Sequence, residues 1–144
     1  MDFYVNACEQ LEGAKILAAS GKYRIAVTLL CLSCELFIKS LAERKDPTSP
    51  LLDSHDIVNL GNLIRDIIDY KAIAPKLAFL RKYLNDSRYP FDYRVYSKEF
   101  YENCLESVLA VQHEIDSVNL NKSDIELLRE KFGKENVNDN KRHK

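Results

Sequence analysis

The chain has 144 residues, 46% hydrophobic and 30% charged, with a net charge of −1. That is the make-up of an ordinary soluble globular protein with one domain and a sizeable core, and two domains are not expected. Four glycines and four prolines are too few turn residues for a many-stranded sandwich or barrel, so the composition predicts an all-α fold.

The N-terminus, Met1-Asp2-Phe3-Tyr4-Val5-Asn6, lacks the basic and apolar regions of a signal peptide. No apolar run is read as approaching the roughly 18 residues of a membrane span. The expected location is cytoplasmic, with no membrane partner. Cys8, Cys31, Cys34 and Cys104 read as reduced thiols packed as small hydrophobes. Cys31 and Cys34 match C-x-x-C, but a redox pair needs a helix N-terminus and a zinc site needs a second pair; no metal and no cofactor are expected.

In chain order, the first helix is predicted from about Asp2 to Ser20, with Val5, Leu11, Ile16 and Leu17 among its apolar positions and Ser20-Gly21 as its stop. Helix two, about Lys22 to Arg44, is apolar almost all round between Ile25 and Leu41, which marks it as the central post of a bundle. Its polar exceptions Arg24, Thr28, Glu35 and Lys39 share one narrow stripe. Glu35 and Lys39 make an i,i+4 pair that is weak at a surface and costly to break if buried.

A proline loop, Asp46 to Pro50, leads to Asp53-Ser54-His55-Asp56, which offers capping side chains to a short third helix at Ile57, Leu60, Leu63 and Ile64. His55 reads as a capping or packing residue with some chance of a chemical role. In helix four Ile73, Leu77, Leu80 and Leu84 repeat with 4,3,4 spacing as an inward edge. Pro90 ends it, since proline disfavours helical geometry at Tyr89. Helix five, about Ser97 to Asn119, runs Phe100, Cys104, Val108, Val111, Ile115 and Val118 along one face, with His113 near its boundary as a partly buried packing residue. Ser123-Asp124-Ile125-Glu126 is a capping box that opens a separate short helix to Phe132. Beyond it the polar stretch from Gly133 to Lys144 has nothing to bury.

The expected architecture is thus an up-and-down helical bundle of four to five main helices plus a short C-terminal helix. Its divisions are a bundle over 1–120, the short helix over 121–132 and a disordered tail over 133–144. One stretch stands apart. From Lys71 to Lys98 seven basic residues face two acidic ones, a local charge of +5 in a chain of net −1, among six aromatic rings (Phe79, Tyr83, Tyr89, Phe91, Tyr93, Tyr96). Cations interleaved with flat π-faces suit a ligand that carries phosphate and base.

Three segments together resemble the HEPN domain, a four-to-five-helix up-and-down bundle, over roughly Met1 to Val118. They are Cys34-Glu35-Leu36-Phe37-Ile38-Lys39-Ser40-Leu41, the helix start Ser54-His55-Asp56, and Ser87-Arg88-Tyr89-Pro90, which is similar to the family's A-R-Y-P signature. The resemblance implies a homodimer that brings its helix-four ends together over a groove lined by the signature arginine and polar residues of helix two. Many members are metal-independent ribonucleases carrying R-x(4–6)-H, often paired with a nucleotidyltransferase partner in toxin–antitoxin modules; others bind nucleotides without that histidine. Arg88 matches the arginine, but Tyr93, Arg94 and Val95 fill the window where the histidine belongs.

The leading expectation is a non-catalytic, dimeric module that binds a nucleotide or RNA phosphate at Arg88. In it Tyr89, Tyr93 or Tyr96 stacks on a base, and Glu35 and Lys39 set the polarity of the groove. One alternative is an endoribonuclease toxin in which Arg88 acts with Tyr93, His55 or His113 as base; Tyr93, a phenol, is a poor base at neutral pH. The other is an interaction bundle in which Arg88 pairs with Glu35 or Asp92.

Overall fold

The computed structural model describes the backbone of residues 2–88 and 96–131 and the side chains of residues 2–83 and 96–118. Every regular element among them is helical. The chain begins α1 (Phe3–Ala19) where the Asp2 carboxylate accepts from the Val5 N–H at 3.0 Å, satisfying one of the unpaired donors of a helix start. Gly21, at φ 77°, takes the left-handed conformation that a side chain would strain, and the chain reverses into α2 (Tyr23–Lys45).

Along this hairpin Ser33 donates to the Ala7 carbonyl at 2.8 Å, and Tyr4 meets the Phe37 ring edge-on at 5.4 Å. Of the apolar positions on α1, Val5 and Ile16 face water, while Leu11 and the small residues Ala7 and Ala14 are buried. The contact is close enough that small side chains carry it.

α2 touches α1 and all three later helices. That position explains why it is apolar on every side: Val27, Leu30, Cys31, Cys34, Phe37, Ile38 and Leu41 are buried. By length and composition α2 could cross a membrane, with an 18-residue window of mean hydropathy 1.9, which the reading of apolar runs had not anticipated. Two thirds of that window is buried inside the bundle, the ordinary signature of a core helix.

A 3-10 turn (Pro50–Asp53) precedes α3 (Ile57–Leu63), whose cap is Asp56. At Gly61 an added Cβ would sit 2.7 Å from Leu77 Cδ1 and 3.3 Å from the Tyr70 ring. This glycine lets α3 lie against α4 (Tyr70–Arg88), where Ile73, Leu77 and Leu80 are fully buried. The Cys31 thiol lies 3.9 Å from the Leu80 carbonyl, which sets α4 alongside the middle of α2. Pro75 sits inside α4 without ending it.

α5 (Lys98–Lys131) opens with Ser97 accepting from the Phe100 N–H at 3.1 Å. It closes the core through Cys104, Val108, Val111 and Ile115. It then runs on as one helix of 34 residues, so the expected break near Asn119 and the separate helix after Ser123 are not found. The reason is compositional: Asn, Lys, Ser and Asp are only slightly worse than Ala inside a helix, and no glycine or proline interrupts residues 98–131. The expected tail over 133–144 lies outside the described residues.

Candidate functional site

Glu35 and Lys39 lie one turn apart on α2, and Lys39 Nζ approaches Glu35 Oε2 at 3.0 Å. Their side chains are 3% and 7% exposed, so the pair is a buried ion pair and not a solvated one. Removing two charges from water is costly, and the mutual attraction repays it only at close range. Arg24 and Thr28, in the same stripe, are half-buried, with the Thr28 hydroxyl donating to the Arg24 carbonyl at 3.2 Å. Glu35 and Lys39, expected to set the polarity of a groove, lie beneath the surface.

What rises from that pair to the surface is His55. Its Nδ1 lies 3.0 Å from Glu35 Oε2, the oxygen that also meets Lys39, while 68% of the imidazole side chain is exposed. Among the described residues Glu35 Oε1 is buried without a hydrogen-bond partner. The carboxylate orients the ring, as second-residue carboxylates orient working histidines elsewhere. Asp56, the next residue, accepts through Oδ1 from the N–H groups of Val58 and Asn59 and meets Arg81 Nη2 through Oδ2 at 2.7 Å. The turn before α3 is thereby tied to α2 on one side and to α4 on the other.

Arg88 is the last residue of α4, seven residues after Arg81. At 3.6 residues per turn the two Cα positions fall in one stripe, about 10 Å apart along the axis. Tyr89 and Tyr93 lie outside the described residues. Tyr96 is only 7% exposed and meets Phe100 edge-on at 5.7 Å. Phe79 and Tyr83 join the same ring cluster, Tyr83 lying 4.6 Å from Phe100. Tyr96, expected as a stacking platform, is instead buried in this ring cluster at the start of α5. These rings fasten the end of α4 to the beginning of α5. His113, expected to be partly buried, is exposed on α5.

Among the described residues no three His, Cys, Asp or Glu side chains are placed to hold a metal ion. Cys31 and Cys34 lie inside α2, both fully buried, and burial pushes the Cys34 thiol well above its ordinary range. A thiol so held cannot act as a thiolate near neutral pH. The Glu35–His55 contact and the Asp56–Arg81 pair were not foreseen: they join residues 20 and 25 positions apart, and only the Ser54-His55-Asp56 run hinted at them.

A family model described as HEPN domain matches residues 1–118. No curated protein and no solved structure gives a match.

Proposed function

Since the chain belongs to the HEPN domain family, we propose that it is a nucleotide- or RNA-phosphate-binding module that works as a cytoplasmic homodimer. The observation that carries this reading is the place of Arg88: it closes α4, in the stripe that Arg81 occupies at the half-exposed edge of the bundle, inside the most basic stretch of the chain. A guanidinium is always charged and offers five donors in a planar fork, which matches phosphate oxygens. The family's acid/base histidine has no counterpart at Tyr93, Arg94 or Val95, and this supports binding rather than cleavage through that route. Tyr89 and Tyr93 are the rings proposed to stack on a base. A nucleotidyltransferase partner, as in toxin–antitoxin pairs, fits the same reading.

Replacing Arg88 with Ala should weaken binding of a short oligoribonucleotide by about 1.5 to 3 kcal/mol, roughly tenfold to a hundredfold. Fluorescence anisotropy measures it, with gel analysis checking that the RNA is recovered intact. Equal affinity in wild type and Arg88→Ala sinks the proposal.

A further inference from the structure

Resting on the phosphate reading of Arg88, we propose that Arg81 and His55 form a second phosphate subsite along the same edge of α4. The ligand is then an RNA strand with several phosphates and not a mononucleotide. The stripe that joins Arg81 to Arg88 sets their Cα atoms about 10 Å apart along the helix axis, a separation that a strand with several phosphates can span.

Arg81 is built for the task. Its side chain is 54% exposed, and Nη2 meets Asp56 Oδ2 at 2.7 Å, which holds the fork in place while leaving other N–H groups for a ligand. Asp56 is itself held, because its other oxygen caps α3. His55, beside Asp56, is fixed through Nδ1 on Glu35 and presents an imidazole that is 68% exposed. As an imidazolium it donates from Nε2 as well, so it can take a phosphate oxygen next to the guanidinium.

The charges around this imidazole explain why its proton matters. Glu35 is paired with Lys39 on α2, and Asp56 is paired with Arg81 on α4. Exposed Asp53 lies two residues upstream. Against two pairs that cancel, protonation of His55 adds a full positive charge at the subsite.

The test uses the full chain and a 2′-O-methyl oligoribonucleotide of roughly 12 nucleotides, within the range that single-strand sites span. This probe resists any cleavage through the 2′-hydroxyl. Affinity is measured across salt at about pH 6 and about pH 8 for wild type, Arg81→Gln, His55→Gln and Arg88→Ala.

Each phosphate contact on a single strand contributes about 0.7 to the slope of log affinity against log salt. Arg81→Gln should lower the slope by about that amount. In wild type the slope should be steeper at the lower pH, and His55→Gln, whose amide can still donate to Glu35, should erase that difference. A nucleoside monophosphate should bind wild type and Arg81→Gln alike. Because the Arg81–Asp56 pair is half exposed, its loss leaves the fold intact, as a thermal melt would check. If the Arg81 and His55 variants keep the wild-type slopes while Arg88→Ala loses affinity, the second subsite is wrong and the Arg88 reading stands. If wild type binds no RNA, both fall.

Discussion

Glu35 has 3% of its side chain in contact with water, and Lys39 Nζ at 3.0 Å is the permanent charge beside it. Lys39→Met would leave that carboxylate buried with only His55 against it and should destabilise the fold by about 3 to 5 kcal/mol. Adding Glu35→Gln removes the uncompensated charge, so the double variant should recover most of the loss. Urea denaturation of both variants checks this, and a single-variant cost below about 1 kcal/mol would mean that the pair is solvated in practice. The i,i+4 spacing of the pair was legible in the sequence, because helical periodicity is local. Its burial was not: that depends on what the turn before α3 lays over α2, and a chain reversal of 20 residues between Glu35 and His55 leaves no periodic trace. The same holds for Tyr96, which looked like one of six rings around a basic loop until its packing on Phe100 was seen.

At the scale of helices, the local chemistry of Asp2, Gly21, Asp56 and Ser97 marked starts and stops that the structure keeps. Two elements obeyed other rules. α5 carries a capping sequence at Ser123 yet stays helical to Lys131, since capping residues only end a helix where the backbone has a reason to leave it. α4 runs through Pro75, an exposed position in its second turn. Proline there deprives the Lys71 carbonyl of its usual donor and costs up to about 3 kcal/mol relative to alanine. α4 survives because Ile73, Leu77 and Leu80 are fully buried on either side of it. Pro75→Ala should therefore raise stability, by roughly 1 to 2 kcal/mol once the greater freedom of the unfolded chain is set against the regained hydrogen bond. An unchanged or lower melting temperature would show that the proline shapes the approach of α4 to α3 instead.

For the whole molecule, the shifted groups lean one way. Burial raises the thiols of Cys8, Cys34 and Cys104 and the phenols of Tyr4 and Tyr101, with Cys104 and Tyr4 each pushed up to about 12. For Tyr4 the hydrogen bond it donates to Asp116 at 2.6 Å adds to the effect of burial. On the acid side Asp66, an exposed group, is lowered by the hydrogen bond from Lys45. The sign follows from proton counts. Unfolded, these thiols and phenols release their protons near pH 9 to 10, whereas the native chain keeps them until its own higher values are passed. The native state thus holds more protons across that window, and stability that is fully present below about pH 9 is lost as pH rises toward 12. Cys104 contributes about 1.4 kcal/mol per unit of separation and the partly exposed Tyr4 less, so the fold should lose a few kcal/mol by about pH 11. The urea midpoint, followed under reducing conditions from about pH 8 to 11, should fall steadily, and Tyr4→Phe should flatten part of the fall. A midpoint that holds level across that range would mean that these thiols and phenols titrate as if in water, and that the helices meet more loosely than the buried Cys34 and Cys104 require.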